Sequence, residues 1–353
     1  MASVSKPLHP QSSKWADFIS KAKDFQDLEA MMTETYPTKH SDIKKKLGIN
    51  PRYNNLSEAQ RKEVETISST NSNICGKGIM EVFAEGYFKI IVGASAVVPE
   101  DSFTKPIRNK YKLPSIDIGA DGAFTKDGID TLYQVKYSSD KDKKLSYKGS
   151  NGLVTFFAAT NQCSKYGSFR CVFTNAADMP QIPKSNQDNW YSITGADLRE
   201  LTPSQYKSIA NWIKTGVNKV WLPKKPTMRK HQLEARKQIK KFLKQGDRAY
   251  VEMACGSGKT FTAADYCVAS KANKILVLVP SVELAKQTRL EFSKFNLPHR
   301  QLTVCHKKNI HAGDFDLSDL NFAVTTDPQQ LGKNLKGAKQ FIIFCVYNSA
   351  KVV

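Results

Sequence analysis

Two α/β domains in tandem are the fold that this sequence predicts, and three observations carry the expectation. Short runs of period-two alternation, Ser115–Ile118 and Thr131–Tyr137, read as strands of a half-buried sheet. Apolar residues at helical spacing precede them, as in Trp15, Phe18, Ile19, Phe25, Leu28, Met31 and Met32. A continuous apolar run, Lys274–Val279, ends at Pro280 and reads as a buried parallel strand of a second sheet.

Taken in order, residues 1–70 form a helical N-terminal extension whose aromatic and methionine side chains are assigned to packing. Asn71-Ser72-Asn73 marks a break, and residues 71–200 form the first domain. Within it Ser115–Ile118 pairs with Thr131–Tyr137 across a turn at Gly119–Gly128. Asp121, Asp127 and Asp130, which lie in or near that glycine-rich turn, are candidates for extra metal ligands but are read as turn residues, because aspartate is favoured there for backbone reasons. Residues 201–227 form a linker stiffened by Pro223 and Pro226, and 228–353 form the second domain. There Ala249–Glu252 reads as a short strand and Phe261–Ala264 as a helix start.

At 353 residues, 40% hydrophobic and 24% charged, the chain is long enough for two cores and ordinary for a soluble protein. Its formal charge of +20 is not ordinary, and much of the excess is local. Residues 201–250 hold thirteen Lys or Arg against Glu234 and Asp247 alone. Such a stretch fits a polyanion, since each neutralised phosphate releases counterions. Lys224, Lys225, Arg229 and Lys230 are its candidate contacts. Seven cysteines without a CxxC pair, and histidines without ligand spacing to them, argue against zinc and for a reducing compartment. The first residues carry no apolar core of a signal peptide, and no apolar run approaches the ~20 residues of a membrane span. A cytoplasmic protein, or one at the site where DNA is replicated, is the expectation.

Two stretches carry chemistry. In Met253-Ala-Cys-Gly-Ser-Gly-Lys-Thr260, between a strand-like run and a helix start, Gly256, Ser257 and Gly258 bring backbone amides to phosphate oxygens. Lys259 would reach the β- and γ-phosphates, and the Thr260 hydroxyl would ligate magnesium. Met253 occupies the place of the first glycine in the strict pattern. In the second stretch Gln134 and Lys136, two apart on one strand, project from the same face, where an aspartate of the neighbouring strand can join them. A carboxylate and an amide oxygen suit Mg²⁺ at a phosphodiester, and a lysine can orient water and offset developing charge.

These residues resemble two families. Asp117, Gln134 and Lys136 are similar to the D…QxK set of the Mrr-type branch of the PD-(D/E)xK nucleases, over about residues 75–200, with Gly78–Glu85 resembling the family's preceding helix, and Gly152–Ala159 and Phe169–Asn175 the helix and strand that follow QxK. The resemblance implies a restriction-endonuclease-like α/β/α domain, Mg²⁺ held by Asp117, Gln134 and a helical glutamate, Glu81, with Glu85 one turn away as the substitute. The glycine loop, with Met228–Gln232 before it, resembles superfamily 2 helicase-type ATPases of restriction motors. That likeness implies a partial RecA-like lobe, ATP as ligand, Gln232 at the adenine edge, and Pro280, Ser281, Gln287 and Thr325 along a nucleic-acid strand. The family's next element, a strand with an acidic pair, is expected beyond Val353, as is the second lobe, on a longer product or a separate chain. Nucleotide binding without efficient turnover is therefore expected. The function implied is a Mg²⁺-dependent endonuclease joined to an incomplete motor, with double-stranded DNA the leading partner and RNA compatible. The alternatives are a nucleic-acid-binding protein with an inactive nuclease fold, or a fragment of a longer ATP-dependent translocase.

Replacing Lys224, Lys225, Arg229 and Lys230 together by glutamine is expected to weaken DNA binding alike for all sequences. The slope of log affinity against log salt should flatten by about 0.9 for each phosphate that is no longer neutralised. An unchanged slope in a filter-binding titration would reduce the stretch to a solvated face.

Overall fold

The computed structural model describes residues 7–50, 55–111, 113, 119–126, 128–148, 153–164, 169–182, 190–216, 226–295, 297, 299–305, 324–325 and 327–353. The chain divides into two compact units, one formed by residues up to Trp221 and one by most of the chain from Leu222 onward.

The first unit opens with helices α1 (Ser12–Lys21), α2 (Phe25–Thr35), α3 (His40–Lys46) and α4 (Glu58–Asn73). A capping box between Ser57 and Gln60 starts α4. The break expected at Asn71–Asn73 is absent. The helix runs on through a π-helical segment, Ile74–Met80, into α5 (Glu81–Ile90), so polar residues there sit on a continuous helix whose turn merely widens. The π segment is locked by Trp15 of α1: a Cβ added at Gly78 would lie 2.6 Å from the indole Nε1.

Helix α5 is buried almost all round, including Val82, Phe83, Phe88 and Ile90, which marks it as a core helix. Behind it lies α9 (Pro203–Thr215), started by Thr202 and Gln205 and ended by Gly216 at φ +68°. At Gly86 a side chain would meet Ile209 and Ile213 at 2.8 and 3.0 Å, so glycine permits this close approach. The short helix α8 (Gly195–Arg199) is tied to α2 by the bidentate pair of Arg199 with Glu29, both contacts 2.9 Å.

In front of α5 stands a mixed five-stranded sheet, β1 (Ala96–Pro99), β2 (Gly122–Lys126), β3 (Ile129–Lys136), β4 (Phe169–Thr174) and β5 (Trp190–Ile193), in that spatial order. The pairs β1–β2 and β2–β3 are antiparallel, while β3–β4 and β4–β5 are parallel. The α6 helix (Lys105–Tyr111) precedes β2, and α7 (Val154–Ser164) makes the crossover from β3 to β4. Phe88 packs its ring 4.4 Å from Phe124 and 4.7 Å from Tyr133, joining α5 to the sheet. Phe156 and Phe157 of α7 cover another cluster with Leu132, Val172 and Trp190.

The hairpin differs from the expected one. The strand facing β3 is Gly122–Lys126, inside the stretch read as a turn, and Lys126 pairs with Ile129 across a two-residue connection in which Gly128 has φ +78°. Gly128, in the left-handed region, closes this register, and the expected partner strand at 115–118 lies outside the described residues.

The second unit contains α10 (Lys230–Gln245), α11 (Lys259–Ser270), β6 (Lys274–Val279), α12 (Val282–Ser293), β7 (Arg300–Val304), β8 (Val324–Thr325), α13 (Pro328–Leu335) and β9 (Phe341–Val346). Its four-stranded sheet has the order β6-β9-β7-β8, every pair parallel. Phe292 and Phe344 pack edge to face over Ala264 and Ile342. Two expectations need correction. Ala249–Glu252 forms no strand, because it pairs with no neighbour and its residues are exposed. The β6 run is not fully buried, since it lies at the sheet edge with Leu276 and Leu278 exposed.

Phe88→Ala should destabilise the first unit by about 3–5 kcal/mol, since its ring is fully buried between helix and sheet. The urea midpoint of that unit should fall while the unfolding of the second unit stays in place.

Candidate functional site

The first candidate site is built on β3. Asp121 immediately precedes β2 and holds β3 at two points. Its N–H donates to the Tyr133 carbonyl at 2.9 Å, and its Oδ2 accepts from the Val135 N–H at 2.5 Å. Gln134 lies between those two attachment points. Its Nε2 donates to the Gly119 carbonyl, and its Oε1, buried, has no hydrogen-bond partner among the described residues. Such an acceptor suits a ligand to a cation. Lys136 follows two residues on, partly exposed and close enough to Asp121 to favour its charged form.

Glu81 completes the group. Burial raises the Asp121 carboxyl well above the usual carboxylate range and the negative Glu81 adds to the effect, against the opposing Val135 N–H, Lys136 and Lys77. Burial also raises Glu81, against its hydrogen bond from His9 and the charge of Lys77, with Asp101 adding repulsion. Asp121 and the unpartnered Gln134 oxygen thus lie at one strand pair, with Glu81, Lys136 and Lys77 near enough to act on the Asp121 charge. Among the described residues no three of His, Cys, Asp and Glu cluster as a metal site. The oxygens of Asp121, Glu81 and Gln134 are of the type that suits a hard cation such as Mg²⁺.

Asp117 lies outside the described residues, so its expected place beside Gln134 and Lys136 has no geometry to report. Asp121, read from sequence as a turn residue, is instead tied into the strand pair, and this is a correction. The physical reason is the shifted hairpin: once Gly122 opens β2, Asp121 is its flanking residue rather than a loop tip. Asp127 is outside the described residues, and Asp130 accepts the Thr125 hydroxyl at 2.6 Å, a local strand contact. Glu85, the substitute for Glu81, is buried at 1% exposure and spends both oxygens on the amides of Leu8 and His9, at 2.7 and 2.9 Å. It serves the fold. Lys77 and His9 were not singled out by sequence, since neither belongs to a motif.

The second candidate site is the glycine loop. Gly256 and Gly258 adopt φ +73° and +89°, and α11 starts at Lys259, so the loop delivers its amides to a helix N-terminus. Lys259 Nζ folds onto the carbonyls of Met253 and Ala254, at 2.9 and 3.1 Å. Thr260 is half-buried in the first turn, and the Ser257 hydroxyl donates to Ala254 O at 2.7 Å. Gln232 is buried, with Nε2 donating to the Ser257 carbonyl at 3.0 Å and Oε1 accepting the Arg229 N–H at 2.9 Å. The amide therefore props the loop while keeping a second N–H and a second lone pair.

Of the expected nucleic-acid contacts, Lys224 and Lys225 lie outside the described residues, while Arg229, Lys230, Pro280 and Gln287 are exposed. The Ser281 hydroxyl caps α12 by accepting the Leu284 N–H at 3.2 Å. Thr325 is corrected: it is buried and its hydroxyl accepts the Asp327 N–H at 3.2 Å, so its local turn uses it. Among the described residues no helix is long and apolar enough to cross a membrane.

Gly258→Ala should lower the unfolding temperature of the second unit more than Gly256→Ala. Both add about 1–2 kcal/mol of left-handed backbone strain, but only at Gly258 would the new Cβ meet Gln232 Nε2, at 2.4 Å. Gln232→Ala in the same chain should abolish the difference.

With this geometry in place, the comparisons with known proteins become informative. Residues 225–346 match the family model described as "Type III restriction enzyme, res subunit". The comparison with curated proteins returned no match. Among solved structures, the "ATP-dependent Type ISP restriction-modification enzyme LlaBIII bound to DNA" superposes with a TM-score of 0.56 at 20% identity, over 82% of this chain and 18% of that one. A nuclease-deletion mutant of the Type ISP enzyme LlaGI, in complex with a DNA substrate mimic, matches 36% of this chain and 13% of its own, with 28% identity and a TM-score of 0.31. The chain spans less than a fifth of the length of these solved relatives. The second unit is thus similar over residues 225–346 to the res-subunit model of Type III restriction enzymes, and the α/β fold is shared with a Type ISP enzyme over most of this chain.

Proposed function

We propose that the chain is a Mg²⁺-dependent DNA endonuclease of the restriction type, its Mrr-like nuclease domain joined to a helicase-type ATP-binding segment. The observation that carries this reading is the attachment of Asp121 around Gln134 on the strand that bears Lys136, with Glu81 close enough to repel its charge. Supporting it are the match of residues 225–346 to a restriction-enzyme subunit and the DNA complexes among the structural neighbours.

Each residue has a distinct task in this reading. Asp121, Glu81 and the Gln134 Oε1 would hold Mg²⁺, with Asp117 a further candidate ligand. When bound, the ion supplies charge neutralisation at the phosphodiester and acidifies water. Lys136 would orient the attacking water and offset charge developing on the phosphate, and Lys77 would add to the positive rim. In the second unit, amides of residues 256–260 and Lys259 would take the phosphates of ATP, the lysine exchanging the Met253 and Ala254 carbonyls for phosphate oxygens, with Thr260 beside the magnesium. The basic start of α10, with Lys224, Lys225, Arg229 and Lys230, would track the DNA backbone, and Pro280, Ser281 and Gln287 would lie along a nucleic-acid strand.

Asp121→Asn, Gln134→Ala and Lys136→Ala should each abolish Mg²⁺-dependent plasmid nicking while DNA affinity changes only a few-fold, because phosphate contacts elsewhere supply the binding. Asp117→Ala discriminates: loss of nicking would assign it a ligand's role beside Asp121. Nicking that survives all four substitutions would refute the nuclease reading.

A further inference from the structure

The segment ahead of α1 is fastened to the candidate nuclease site by an unbroken series of hydrogen bonds. His9 is 6% exposed, and its Nε2 lies 3.2 Å from Glu81 Oε2. Its Nδ1 accepts the Gln11 N–H at 3.1 Å, which leaves the ring proton of the neutral imidazole on Nε2, pointed at the carboxylate. Its carbonyl accepts the Ser12 N–H and hydroxyl at 3.0 and 2.7 Å. Its own N–H, with that of Leu8, is taken by the buried Glu85 one turn along α5 from Glu81. Gln11 in turn accepts the Trp15 indole N–H at 2.8 Å, and that indole lies against Gly78 in the π segment that leads into Glu81.

Every polar atom of His9 is therefore committed, and the ring has no freedom to leave Glu81. A histidine held only for packing needs no such arrangement. A carboxylate that must present one oxygen to a cation, however, gains from having the other fixed by a donor.

We propose that His9 is a positioning residue of the nuclease site, holding Glu81 through one oxygen so that the other faces the cation, and that residues 8–15 form a buckle fixing the glutamate helix. The proposal rests on the nuclease reading. It extends the site to a segment about seventy residues upstream of Glu81 that belongs to none of its motifs.

The test uses the full chain and two readouts: Mn²⁺ affinity by titration calorimetry without DNA, and the Mg²⁺ concentration giving half-maximal plasmid nicking. His9→Ala should weaken Mn²⁺ binding and raise the Mg²⁺ midpoint by about tenfold each, with the maximal rate largely recovered at saturating Mg²⁺. His9→Gln, which returns an amide N–H to the place of Nε2, should restore both to within about threefold of wild type. Lys136→Ala should bind Mn²⁺ as wild type does and not nick. Should His9→Ala bind Mn²⁺ with wild-type affinity while Lys136→Ala is inactive, the positioning role falls and the nuclease reading stands. Wild type that neither binds Mn²⁺ nor nicks overturns both. If His9→Ala loses its native circular dichroism, His9→Gln decides: a folded variant with wild-type metal affinity supports the proposal, and one that is misfolded or tenfold weaker overturns it.

Discussion

The attachment of Asp121 to β3 is the constraint on which the first unit's candidate chemistry depends. A carboxylate that accepts a strand N–H on one side and shares a backbone bond on the other cannot rotate away, and the residue between its two contacts is fixed with it. Gln134 is that residue. Its amide nitrogen is spent on Gly119, which leaves its oxygen pointing where nothing in the described chain answers it. A buried acceptor without a donor costs about 1–3 kcal/mol. The fold tolerates that cost beside Asp121, on whose charge Glu81, Lys136 and Lys77 already act.

The apolar packing and the charged cluster belong to the same element. Helix α5 buries Phe83, Phe88 and Ile90, yet carries Glu81 and Glu85 on consecutive turns. The two acids are accommodated differently. Glu85 is satisfied by two main-chain amides and can remain deep in the core, whereas Glu81 meets one imidazole and is left with spare acceptor capacity. The aromatic contacts of Phe88 with Phe124 and Tyr133 set the helix against β2 and β3, so packing that looks remote from chemistry fixes the spacing between Glu81 and Asp121.

Much of this was legible in the sequence, and the failures share a cause. Helices at 1–70, the strand bearing Gln134 and Lys136 and the apolar run of β6 follow from local periodicity, whereas the α7 crossover was reached by family likeness and β7 was not foreseen. The strand partner of β3 did not, because register depends on where a turn closes, and Gly128 closes it later than the alternation at 115–118 suggested. Asp121 was misread for the same reason, since a one-strand shift converts a turn residue into a strand-anchored acid. The exposure of Leu276 and Leu278 was likewise invisible to pattern alone, which cannot tell an edge strand from a central one. Glu81 was reached by family likeness, while His9 was beyond any local signal, as its partner lies 72 residues away.

The two candidate sites differ in what they ask of the fold. The glycine loop is made from consecutive residues, and its anion affinity comes from backbone amides at a helix start, so it can be read from eight letters. The β3 site is assembled from side chains brought together over long separations, and its charge balance exists only in the folded chain. Both Asp121 and Glu81 have carboxyls raised above their ordinary range, chiefly by burial. The folded chain therefore binds protons at these groups more tightly than the unfolded chain does. Their contribution to stability is full below the unfolded carboxylate values and is lost as pH rises through the raised folded ones. On the nuclease reading a divalent cation reverses this balance, because it favours the same two carboxylates as anions. Proton and cation are then competing occupants of one cluster.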